Sequence, residues 1–236
     1  ETSMTGKGTG DIDAAALAET IVAAVQQVRS DDGVDRDAIT IRTQRGAGAS
    51  ATELVQGVIS EEEPLNDDMP TRVDDASVAV LDLDLEVREA EIDAEYNVTS
   101  VDQLNAAIES EEDELREYAQ TIADAGVDVL FNEGDIDDRV AGFLADHGIL
   151  AFEGVGSDDA NAVADATGAV SVGTLSELDA ADFGHADSIS VETYGDDEMT
   201  FVEGGADAKA VTVFVRGGTE HVADELERVV DRALEF

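Results

Sequence analysis

Two aspartates, Asp82 and Asp84, close the apolar run SVAVLDLDL at 77–85, which reads as a strand. An Asp-x-Asp pair at a strand end can supply the nucleophile and the acid of a Mg2+-assisted phosphoester hydrolysis. That chemistry expects Thr or Val four residues after the first aspartate, and Glu86 stands there. A second acidic group, Asp135, Asp137 and Asp138, offers the hard oxygen donors that Mg2+ or Ca2+ takes. Asp137 and Asp138 also stand just ahead of a helical pattern, where carboxylates satisfy free N–H groups and face the positive end of the dipole. They read as helix caps, and no metal site is assigned. A small Mg2+-dependent hydrolase built on Asp82, Asp84 and 135–138 is the alternative that these residues leave open.

Other chemical signals are weaker. Gly217 and Gly218, between an apolar run and a helical pattern, could cradle a phosphate, but the spacing and lysine of a P-loop are missing. Gly6-Lys7 is followed by Gly8 where a P-loop needs Ser or Thr. His147, His185 and His221 lie far apart, and none has the helical His partner of a zinc site. Each reads as a surface or structural residue. Asn97-Val98-Thr99 is a glycosylation sequon, read here as chance. With no cysteine in the chain, disulfides and thiolate metal sites are excluded.

The elements that would position these residues follow from periodicity. At 13–29, Leu17, Ile21, Val25 and Val28 share a helical face. A short strand is expected at 38–43. The stretch from Gly57, holding both prolines, reads as a loop. In 91–122, Leu104 and Ile108 lie one turn apart, acidic residues interrupt at 109–114, and an apolar face resumes at Leu115, Tyr118 and Ile122, which by periodicity alone reads as an ordinary packed amphipathic helix. Alternation follows: a strand at 127–131, a helix at 137–147 with Val140, Phe143 and Leu144 inward, and a strand at 149–152. A helix at 158–167, with Gly168 as its cap, then leads to a strand at 169–172. Near the end Val211, Val213, Phe214 and Val215 form an unbroken apolar run, the mark of a strand covered on both faces. Thr219 then caps a helix with Val222, Leu226, Val229, Val230 and Ala233 on one face.

Charge sets the solvent. There are 57 acidic against 13 basic residues in 236, a formal net charge of −44. Such a chain repels nucleic acid and anionic membranes. Hydrophobic residues at 43% in a regular pattern speak against disorder. A fold adapted to molar salt accounts for both, since the Debye length there is only about 3 Å. No run is long enough for a membrane span and no signal-peptide pattern occurs, so a cytoplasmic setting is expected.

Particular strings carry a resemblance. RGGTEHVADE at 216–225 resembles the RGGTEHVVDE-type segment of archaeal group II chaperonins, the thermosomes. TSMTGKG at 2–8, GVISEEEPLNDDMPTRV at 57–73, DIDD at 135–138, GIL at 148–150, ATGA at 166–169 and MTFVEG at 199–204 are similar to that family's segments in the same order. The resemblance, of a salt-adapted haloarchaeal type, covers essentially the whole chain. It implies an α/β architecture in two parts. An intermediate domain at 1–56 and 207–236 would flank an apical domain at 57–206 with a helical protrusion at about 91–122. In the family, bulky residues near Leu104, Ala107 and Ile108 engage unfolded polypeptide and close a built-in lid. Ala107 is smaller than the family's usual residue, so the client surface would be weaker here. The family's GDGTT-type and GGGA-type nucleotide segments do not occur, so the equatorial ATPase domain, with its ATP and Mg2+, would lie outside this sequence. The segment by itself would be no enzyme, although the full-length subunit would resemble an ATPase. Its partners would be unfolded clients and other subunits of a double ring.

One departure concerns hydrolysis. The family places an aspartate immediately before Ala-Leu on the last helix, where it orients the attacking water. Here Arg232 precedes Ala233-Leu234, and Asp231 is one residue earlier, about 100° round a helix. A guanidinium cannot act as that carboxylate. Either the parent hydrolyses poorly or a local rearrangement lets Asp231 serve. A non-catalytic interaction module that has kept the fold and lost the client surface is a further reading.

Overall fold

The structure is a computed structural model that describes residues 14–30, 33–34, 39–44, 52–86, 101–194, 197–205, 210–216 and 228. Helix α1 (Ala14–Gln27) leads to the short strands β1 (Arg29–Ser30) and β2 (Gly33–Val34), then β3 (Ile39–Gln44), β4 (Thr52–Val55) and β5 (Gly57–Ser60). Strand β6 (Arg72–Leu81) precedes the long helix α2 (Val101–Ala125). Strands and helices then alternate as β7 (Val129–Asn132), α3 (Asp138–Asp146), β8 (Leu150–Phe152), α4 (Ser157–Thr167) and β9 (Ser171–Val172). Two short 3-10 turns lead into β10 (Gly184–Tyr194), β11 (Asp197–Glu203) and β12 (Val211–Arg216).

The apolar run at 211–215 becomes β12, the centre of a three-stranded sheet ordered β3-β12-β4. It runs parallel to β3 and antiparallel to β4. Val211, Val213, Phe214 and Val215 are all buried, as an unbroken run requires when both faces are covered. Helix α1 packs on β4 and β12 and buries Ile21 and Ala24, with Val28 buried just past its end. The expected face included Val25, which is half-buried, in place of Ala24. Ala24 lies between Ile21 and Val28 in an i, i+3, i+7 series, and its small side chain lets the helix sit close to the sheet.

The second sheet has seven strands, ordered β5-β11-β10-β6-β7-β8, with β9 also beside β6. Strands β6, β7, β8 and β9 are parallel, while β10, β11 and β5 pair antiparallel. Leu115, Ala119 and Ile122 of α2, Val140 and Leu144 of α3, and Val163 of α4 join the strands in one core. Within it Phe131 and Phe152 stack with centroids 4.8 Å apart. Complete burial of such a side chain is worth about 1.5–3 kcal/mol. Gly168 ends α4 in the left-handed conformation (φ 80°), the cap expected from the sequence.

Two expectations are corrected. The strand read at 77–85 begins at Arg72 and ends at Leu81, so Asp82 and Asp84 lie beyond it. Pairing with β10, from Gly184↔Val78 to Ser190↔Arg72, carries the strand back into polar sequence that propensity alone leaves out. The stretch from Gly57 opens as β5, wholly buried against β11, before the chain becomes irregular.

Candidate functional site

Helix α2 has 25 residues, a length of about 37 Å at 1.5 Å per residue. Its second half is anchored: Leu115, Ala119 and Ile122 are 0% exposed. In its first half, from Val101 to Glu114, every residue whose side chain is described is exposed. Val101 is 73% exposed and Ile108 49% exposed, and Ala107 is open to solvent too. Steps of seven residues come within about 20° of two full helical turns. Val101, Ile108 and the buried Leu115 therefore share one face, and the core stripe of α2 continues onto a part of the helix that no core residue covers among the described residues. Leu104 lies in this half, and its side chain is outside the described residues.

The root of the free half is braced by charge and by α3. Arg116 donates to Glu112 Oε1 at 2.8 Å and Asp113 Oδ1 at 3.5 Å, and its guanidinium lies over the Phe143 ring at 4.9 Å. Phe143, expected inward, is half-buried because it forms this shelf at the edge of α3. The Tyr118 hydroxyl donates to Glu114 Oε1 at 2.8 Å.

The acidic residues singled out from sequence occupy different settings. Asp82 and Asp84 are exposed and line a cleft of about 760 Å3 with Glu86, Glu114, Tyr118 and Thr174. Asp84 Oδ1 accepts the Asp135 N–H at 3.4 Å. Asp137 is the cap of α3: its Oδ1 accepts the backbone N–H of Arg139 at 2.8 Å. The Arg139 guanidinium closes on both oxygens at 2.9 Å. Hydrogen bonding from the Arg139 side chain, with the capping bond, holds the Asp137 carboxyl below its usual range against the opposing effect of burial. A carboxylate engaged in this way has little left to offer a cation. Among the described residues no three His, Cys, Asp or Glu side chains are grouped to hold a metal.

His147 is the C-cap of α3, its N–H directed at the Phe143 and Leu144 carbonyls. His185 Nε2 lies 3.5 Å from Asp187 and 3.7 Å from Asp75, at the surface. Gly6, Lys7, Asn97, Gly217, Gly218, Thr219, His221, Asp231 and Arg232 fall outside the described residues. So does the 91–100 part of the expected protrusion. Sequence reasoning missed Arg42 of β3 and Asp159 of α4, which pair between the three-stranded sheet and the helix packed on the seven-stranded one. They are 117 residues apart, and no local pattern links them.

The TCP-1/cpn60 chaperonin family model matches residues 1–236. Thermosome subunit 3 of Haloferax volcanii is 59% identical over 237 residues, covering 100% of this chain and 45% of that protein. Thermosome subunit alpha of Halobacterium salinarum is 42% identical over 233 residues, covering 99% of this chain and 41% of that one. The open-state monomer of a group II chaperonin from Methanococcoides burtonii superposes with a TM-score of 0.77 at 27% identity, over 99% of this chain and 53% of the other. The chain thus spans less than half the length of these two relatives. From its first residue to its last, it belongs to the TCP-1/cpn60 chaperonin family.

Proposed function

We propose that the chain is the intermediate and apical part of an ATP-driven group II chaperonin subunit, a protein-folding chaperone of the cytoplasm. The intermediate part is 1–56 with 207–236, and the apical part is 57–206. ATP and Mg2+ act in the remaining length of such a subunit, and other subunits complete its ring. Supporting this reading are the family and the bare half of α2. A helix whose core stripe runs on into solvent, with Val101 and Ile108 exposed, offers apolar area to a partner that arrives and leaves. Unfolded polypeptide is that partner, engaged by Leu104, Ala107 and Ile108, and the same surface closes the lid. Each apolar side chain fully buried contributes about 1.5–3 kcal/mol, so a few partial contacts give reversible capture. Molar salt screens the acidic flanks and strengthens apolar burial, so this mode of binding suits the protein's charge.

The test is aggregation of a salt-tolerant client in about 2 M KCl, where surface charge is screened. The unmodified chain should suppress aggregation, and Leu104→Ser/Ile108→Ser should lose most of that protection while keeping the parent's circular dichroism. Equal protection by the folded double variant would overturn the assignment of this surface.

A further inference from the structure

The two sheets meet at a joint with an apolar half and a polar half. In the apolar half, Val55 and Phe214 of the three-stranded sheet bury against Ile59, Met199 and Phe201 of the seven-stranded sheet. The Tyr194, Phe201 and Phe214 rings lie 5.4–6.0 Å apart, and two of the three contacts are edge-on. Thr212 Oγ1 adds a buried hydrogen bond of 2.8 Å to the Gly57 carbonyl. In the polar half, Arg42 of β3 reaches across to α4. Its Nη2 pairs with Asp159 Oδ1, and its Nε donates to the Ile59 carbonyl at 3.2 Å. Both partners are about three-quarters buried, which screens the pair less than a surface one.

Context gives this arginine its weight. In a chain with 57 acidic and 13 basic residues, two bodies brought face to face bring mostly like charge. Asp159 already has a carboxylate neighbour: burial first, and then the Asp159 charge, push the Glu62 carboxyl above its usual range. A cation at this place converts local repulsion into attraction, and its planar fork bonds a carboxylate of one element and a carbonyl of another together. The aromatic contacts, by contrast, rest mainly on apolar burial, with a weaker edge-on preference that carries no charge across the joint.

We infer that Arg42 is a positioning residue: its bonds to Asp159 and Ile59 hold the seven-stranded sheet at one angle on the three-stranded sheet, and breaking the Asp159 pair frees that angle while the aromatic contacts keep the bodies together. The inference concerns the joint alone and stands apart from client binding, so either can fail without the other.

The chain has no cysteine, so two introduced thiols label cleanly. Val22→Cys on α1 and Asn161→Cys on α4 place spin labels on exposed positions of the two bodies. Pulsed dipolar spectroscopy should give one narrow distance distribution for the doubly labelled parent. Arg42→Gln and Asp159→Asn should each widen it about twofold, as loosely held domains do, with little change in the unfolding midpoint. Exchanging the charges, Arg42→Asp with Asp159→Arg, should narrow it again, which general loss of packing would not produce. The inference is overturned if both single variants fold and keep the parent's distribution. Using two variants guards against a folding failure of either one.

Discussion

Asp137 does two jobs with one carboxylate, capping α3 and clasping Arg139, and the pairing leaves its proton less tightly held than in the unfolded chain. A group whose folded pKa is depressed contributes stability above its unfolded value and loses it as pH falls through the folded one. Asp137→Ala should therefore cost about 1 kcal/mol at neutral pH, the usual worth of such a cap. Denaturant melts of parent and variant should converge as pH falls below the ordinary aspartate range. Glu62 runs the other way. Its raised carboxyl favours the folded state below its unfolded value, a contribution lost as pH rises through the folded one. Glu62 lies in the irregular stretch after β5 and its carboxyl is shifted the opposite way, so only the Asp137 variant tests the cap.

At the scale of elements, what could be read from sequence was what the chain encodes locally. The helix at 158–167 with its glycine cap, the α3 cap at Asp137 and the doubly covered strand at 211–215 each carry their own signal in adjacent residues, and all are present. The exposed first half of α2 followed from the family resemblance and not from its own residues, whose periodicity equally suits an ordinary amphipathic helix packed along its length. What escaped depends on partners far away. Strand β10 carries polar Ser188 and Ser190 in buried positions, so its sequence lacks a strong apolar alternation, and it was not assigned at all. The start of β6 is set by that same strand, and the Arg42–Asp159 pair has no sequence neighbourhood. Gly57 belongs here as well. It begins β5 with φ at 147°, and a Cβ would lie 1.9 Å from the Val202 carbonyl oxygen. Gly57→Ala should cost at least about 1–3 kcal/mol, since the clash with Val202 adds to backbone strain, read as a lowered unfolding midpoint.

For the whole molecule, a net charge of −44 makes the medium part of the fold. Self-repulsion opposes compaction in dilute buffer, and added salt removes it. The thermal midpoint should climb as KCl is raised toward about 1 M, where the Debye length shrinks to about 3 Å. A further, gentler rise should follow in sulfate, which strengthens apolar burial beyond screening. An unchanged midpoint across this series would mean that the acidic coat has no bearing on stability. Among the described residues no helix is long and apolar enough to cross a membrane.

The pairing of Gly57 with Glu203, and the Gly204 N–H bond of 3.0 Å to the Gln56 carbonyl, bring the entry and exit of the seven-stranded sheet side by side. Strands so paired lie about 5 Å apart. The unit between them is thus plugged into its host through two adjacent prongs. Such geometry is what insertion and exchange of whole units tolerate best, because the host need not stretch to accommodate a different occupant. Residues 57–203 are accordingly placed to diverge in shape and surface away from the joint, while Ile59, Asp159, Met199 and Phe201 must go on matching the socket that receives them.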